Sequence, residues 1–108
     1  MTLEDFQQFI DEQHAFFRKV KKQTRKDRIF ARTIKLGEEY GELCDEVLEY
    51  MHDQRPTKSK HHRSDDLGNE FADVLIVLFM LAKAMDVDVM TALKQKIKKI
   101  RKRNQEDV

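Results

Sequence analysis

At 108 residues the chain is long enough to bury one core and too short for two ordinary domains, so residues 1–108 read as a single domain. Its 21 Lys and Arg against 20 Asp and Glu leave a net charge of +1, and no global field draws it to nucleic acid or to a membrane surface. The longest apolar run, Val74 to Ala82, is nine residues, under half of the roughly 20 that a membrane-spanning helix needs.

One cysteine, Cys44, has no mate for an internal disulfide, and MTLEDFQQF lacks the basic and apolar stretches of a secretion signal. The expected setting is a reducing cytoplasm. Three glycines and one proline leave few turns, while Leu, Glu, Lys, Arg, Gln and Met are abundant and favour helix. The expected fold class is all-α.

Apolar residues at Leu3, Phe6, Phe9, Ile10, Phe16, Phe17 and Val20 paint one face of a first helix, Leu3 to about Lys22, with Thr2 as its N-cap. The following KKQTRKDR, Lys21 to Arg28, has no apolar member and reads as a bend. A second helix runs from about Ile29 to His52 on the seam Leu36, Tyr40, Leu43, Val47 and Met51. Asp53 to Asp66 holds the only proline and no large apolar residue, and reads as a loop between two helical hairpins. Ser64, Asp65 and Asp66 then offer a cap and first-turn acids for a third helix, about Leu67 to Met85, apolar nearly all round after Asp73 and so expected at the centre of a bundle. Asp86 or Asp88 caps a fourth helix whose stripe is Val89, Leu93, Ile97 and Ile100 on an otherwise basic rod. Four helices in one domain predict a four-helix bundle.

One acidic phrase is written twice: LGEEYGEL, Leu36 to Leu43, returns thirty-one residues later as LGNEFADV, Leu67 to Val74. Three residues advance a helix by roughly 300°, so Glu39 and Glu42 share a face, as do Glu70 and Asp73. Each first acid lies three residues after a core leucine, and the aromatic beside it, Tyr40 or Phe71, is expected to point to the core. An isolated pair at this spacing is usually a solvated face. Two aligned pairs bordering a core are different, because four carboxylates there lose hydration and repel one another unless a cation neutralises them. Basic side chains are one source. They are few in the second and third helices, chiefly Arg32, Lys35 and Lys83. A metal ion is the better match, and all-oxygen carboxylate ligands suit Mg²⁺ or Mn²⁺, ions that handle phosphates. A di-iron site built on Glu49 and His52 lacks a histidine counterpart in the third helix, where Asp73 stands three places after Glu70.

These residues resemble the all-alpha nucleoside triphosphate pyrophosphohydrolases of the MazG and dimeric dUTPase group. The family signature EExxE followed by ExxD is matched by Glu38, Glu39 and Glu42, then Glu70 and Asp73, and the phrases KLGEEYGEL and EFADVLIVLFMLAKAMDVD look like the family's second and third helices. The resemblance spans roughly Lys35 to Arg103. It implies Mg²⁺-dependent cleavage of a nucleoside triphosphate to a monophosphate and pyrophosphate, with metal held by Glu39, Glu42, Glu70 and Asp73. Glu38 and Glu39 are the expected catalytic acids, Glu38 either orienting water or a ligand from behind the metal ligands or facing solvent. Lys35, Lys96 and Arg103 are the expected phosphate-binding cations, although Ile100 stands where the family places an asparagine. The resemblance also implies a dimer or tetramer with a site completed by another subunit, and a house-cleaning role. Phe16, Phe17, Phe30 and His14 are available to stack on a base, but a bundle this small needs its aromatics inside. The competing reading is a helical interaction or nucleic-acid-associated module using the basic patches Arg18 to Arg28 and Lys94 to Arg103; no nucleic-acid motif supports it.

Overall fold

The computed structural model describes residues 1–52 and 60–107, with side chains described for 1–52 and 66–107. The described residues form four helices, in agreement with the all-α expectation: α1 (Leu3–Val20), α2 (Arg25–His52), α3 (Lys60–Ala84) and α4 (Val89–Glu106). No helix among them is long and apolar enough to cross a membrane.

Local chemistry sets the ends. Thr2 caps α1 as expected: its hydroxyl accepts from the Asp5 N–H at 3.1 Å, and the Asp5 carboxylate accepts from the Thr2 N–H at 2.9 Å, a reciprocal box that satisfies two donors a helix start leaves free. The bend is confined to residues 21–24, and α2 starts before the expected Ile29 because the Thr24 hydroxyl accepts from the Asp27 N–H at 3.1 Å. That cap sits in a wholly polar run, where hydrophobic periodicity has nothing to register. The same blindness applies to α3. It begins at Lys60, not Leu67, so Ser64, Asp65 and Asp66 lie within the helix instead of capping it. Residues 53–59 of the expected loop lie outside the described residues.

Of the two candidates for the α4 cap, Asp88 does the work, accepting from the Thr91 N–H at 3.0 Å and the Thr91 hydroxyl at 2.7 Å. Asp86 instead ends α3. Its φ of 57° is left-handed, and it lets the Val87 N–H reach back to the Ala82 carbonyl at 2.9 Å, a helix ending that ordinarily employs glycine.

The core gathers Phe6 and Ile10 of α1 with Phe79 and Met80 of α3, and Phe17, Ile76, Val89 and Met90 pack against it. Phe6 and Phe79 meet edge to face with centroids 4.9 Å apart, a favoured arrangement of ring quadrupoles. Arg32 of α2 ties the three helices together: it is buried, and its Nη1 donates to the Met80 carbonyl at 2.7 Å and to His14 Nδ1 at 2.9 Å. His14 must be neutral to accept there. Burial, then the Arg32 charge, holds its pKa below the ordinary histidine range.

α3 lies chiefly along α2 and secondarily against α1. α4 joins through Val89 and Met90 at its start, and none of its residues is buried. The core expectations therefore need correction. Tyr40 and Phe71 are 61% and 56% exposed, Leu75 and Leu78 of the expected central helix are exposed, and so are Phe16 and Phe30. α1 covers one side of the α2–α3 hairpin, and among the described residues Phe71, Leu75 and Leu78 on α3 stay exposed.

Replacing Asp86 with Gly removes the steric cost of a left-handed residue, and its 3.9 Å ion pair with Arg25 is too exposed to matter. We expect Asp86→Gly to stabilise the fold by about 0.5–1 kcal/mol, read as a raised denaturation midpoint; an unchanged or lowered midpoint would contradict this assignment of the α3 terminus.

Candidate active site

The two halves of the acidic repeat meet where α2 crosses α3. Glu39 comes from α2 and Glu70 and Asp73 from α3, and each offers a carboxylate oxygen within 4.8 Å of the other two. The helical spacing puts Glu70 and Asp73 on one face one turn apart, and α2 brings Glu39 against that face. Glu39 is buried at 6% exposure, Glu70 is half-buried and Asp73 exposed. Glu42 is exposed and is not part of the closest cluster, but its charge reaches Glu70: burial, then Glu42 and Asp73, raise the Glu70 pKa above the ordinary carboxylate value.

Among the described residues, only part of this charge is neutralised. Lys35 Nζ lies 3.1 Å from Glu39 Oε1 and 3.8 Å from Glu38 Oε2, and the Glu39 hydrogen bond raises the lysine's pKa. Among the described residues, the second oxygens of Glu39 and Glu70 are buried with no hydrogen-bond partner. Unpartnered buried carboxylate oxygens are costly. Two of them beside a third acid form an all-oxygen donor set of the kind that hard divalent cations take, so these residues fit Mg²⁺ or Mn²⁺.

The expected phosphate-binding residues are divided. Lys35 stands at the cluster. Lys96 and Arg103 lie exposed on α4, which has no extended interface with α2 or α3. Glu38 is exposed beside Lys35.

Sequence reading missed a cavity of about 380 Å³ among α1, α2 and α3, lined by Phe17, Ala31, Arg32, Lys35, Ile76 and Met80 among others. Lys35 belongs to both the cavity wall and the acid cluster. Of the aromatic candidates only Phe17 lines it, while His14 is engaged with Arg32. Its lining comes from three helices, so no local motif marks it. Another cavity, about 460 Å³ and lined by Asp11 and Lys83 among others, contains none of the acids of the repeat.

A family model for the MazG nucleotide pyrophosphohydrolase domain matches residues 31–107, most of the chain and all four acids of the repeat. Neither the curated proteins nor the solved structures gave a match.

Because its pKa is raised, Glu70 favours the folded state while protonated, and that contribution is lost as pH rises from the ordinary carboxylate range through its folded value. Glu70→Gln should therefore raise the melting temperature of the metal-free protein at about pH 7 and leave it nearly unchanged at about pH 4. An equal shift at both pH values would mean that charge repulsion is not the cause.

Proposed function

The chain belongs to the MazG nucleotide pyrophosphohydrolase domain family and is a hydrolase of nucleoside triphosphates; on that premise we propose that it cuts the α–β phosphoanhydride of an NTP or dNTP, releasing a monophosphate and pyrophosphate. The proposed cofactor is Mg²⁺, with Mn²⁺ as a substitute, held by Glu39, Glu42, Glu70 and Asp73. The observation that carries this reading is the pair of buried, unpartnered carboxylate oxygens on Glu39 and Glu70. When bound, the cation supplies neutralisation of phosphate oxygens and a lowered pKa for the attacking water.

The chain's own residues do the rest. Glu39 and Glu70 are fixed by burial between α2 and α3, so their oxygens are aimed before substrate arrives, which reduces reorganisation during the reaction. Lys35, paired with Glu39, would be free to meet the phosphates with that carboxylate engaged by a divalent cation. Glu38, beside Lys35 and in contact with solvent, is placed to orient water and to take its proton. Lys96 and Arg103 complete the phosphate contacts. The cavity sharing Lys35 receives the uncharged nucleoside, with Phe17, Ile76 and Met80 as its apolar wall. The enzyme acts as a single-domain, cytoplasmic house-cleaning hydrolase that works as a homo-oligomer.

The test is pyrophosphate release from a panel of canonical and modified nucleoside triphosphates, with Mg²⁺ or Mn²⁺ and with chelator. Release should need the divalent cation. Glu42→Ala and Asp73→Ala should each lower it by more than the roughly 10- to 100-fold typical of losing a group one step out from a metal. No release from any nucleotide by the wild type, or chelator-resistant release, would overturn the reading.

A further inference from the structure

Two arginines of α2 are buried, and their guanidinium groups differ in what they meet. Arg28 donates from Nη2 to the Gln23 carbonyl at 3.0 Å. Arg32, 9% exposed, uses Nη1 for the Met80 carbonyl and for His14 Nδ1, while its Nη2 is buried with no acceptor among the described residues. A buried cationic donor without an acceptor is costly. An acceptor brought by a ligand would remove that cost, and Arg32 lines the cavity of about 380 Å³ that it shares with Lys35.

The chemistry of that cavity narrows what can bring the acceptor. Among the described residues its lining holds three cations, Lys21, Arg32 and Lys35, with Gln13 and Gln23 as its other polar side chains and no acid. A cationic ligand is therefore disfavoured, and an uncharged body with an electron-rich edge is favoured. Along α2, Arg32, Lys35 and Glu39 fall at i, i+3 and i+7, so they share one face, and Arg32 stands about 10 Å along the axis from Glu39. A nucleotide with its phosphates at Lys35 and the acids thus has its base on the Arg32 side.

We propose that Arg32 determines base specificity: its Nη2 donates to a ring carbonyl oxygen of the nucleobase, so the enzyme favours oxo-bases such as hypoxanthine and uracil over adenine. Adenine carries an amino donor where hypoxanthine carries its oxygen, and it meets the guanidinium donor to donor. The hydrogen bond to an oxo-base is charge-assisted. Its donor is already oriented, because Met80 and His14 hold the other nitrogen, and little ordering remains when the base arrives. The inference rests on the proposed hydrolase reading for the ligand being a nucleotide, and on the cavity and the unpaired donor for the carbonyl.

Two experiments keep these grounds apart. In the first, kcat/KM for pyrophosphate release is compared for the triphosphates of inosine, uridine, adenosine and purine riboside, the last lacking both the oxygen and the amino group. The better oxo-base should lead adenosine and purine riboside by roughly 10- to 100-fold, mainly through KM. Arg32→Lys keeps a cation for the Met80 carbonyl and loses the second nitrogen, and it should bring that ratio towards one. Equal use of all four bases, a lead for adenosine, or an oxo-base lead that survives in folded Arg32→Lys protein would overturn the proposal. In the second, the free nucleosides are titrated into nitrogen-15-labelled wild type with chelator present, and the Arg32 guanidinium resonances are followed. Inosine or uridine should shift them more than purine riboside does; equal shifts, or none from any nucleoside, would overturn the assignment. If the wild type released no pyrophosphate, the hydrolase reading would fail while the titration still decided whether Arg32 takes a carbonyl.

Discussion

Glu39 and Glu70 each bury a carboxylate oxygen with nothing to accept from, on two helices pressed together at that point. Folding places like charges side by side in a partly desolvated setting, and Lys35 reaches only one of the two residues. The arrangement works against stability in the bare chain. A divalent cation, as proposed, would replace the missing donors and make it favourable. The rest of the molecule can be understood as what is needed to hold this unfavourable pairing in place: a core of Phe6, Ile10, Phe79 and Met80 just below it along α3, and Arg32 fastening α2 to the Met80 carbonyl and to His14 of α1.

Placement of the acids explains why one phrase occurs twice. A single helix can present two carboxylates on one side, but not a set that surrounds a cation. Two helices carrying the same spacing, laid against each other, enclose a volume from both sides. Lys35 links that volume to the neighbouring apolar cavity, so a ligand with a charged end and an uncharged end meets matching surroundings in sequence. Phe71, Leu75 and Leu78 stand exposed on the same helix as Glu70 and Asp73.

Much of this was legible in the sequence, for identifiable reasons. Helical composition and three-and-four periodicity marked all four helices, and the repeated phrase pointed to Glu39, Glu70 and Asp73, which the fold brings together. Thr2 and Asp88 were recognisable caps because a hydroxyl or carboxylate precedes each apolar stripe. The starts of α2 and α3 were not legible, since Thr24 and Lys60 lie in charged runs with no apolar period. Tyr40, Phe71 and Leu75 were misplaced for a different reason. Periodicity tells which residues share a face, and it does not tell whether that face is covered by the same chain. The role of Arg32 was equally hidden, because its partners His14 and Met80 are far away in sequence.

Whether the Glu39, Glu70 and Asp73 cluster is a cation site is tested most directly by Mn²⁺ binding in electron paramagnetic resonance, with a non-hydrolysable triphosphate analogue present. Wild type should bind Mn²⁺ and release it to excess Mg²⁺, and a Glu39→Gln, Glu70→Gln double variant that keeps its helical content should lose that binding. Equal Mn²⁺ binding by both proteins would place the cation elsewhere and contradict the account.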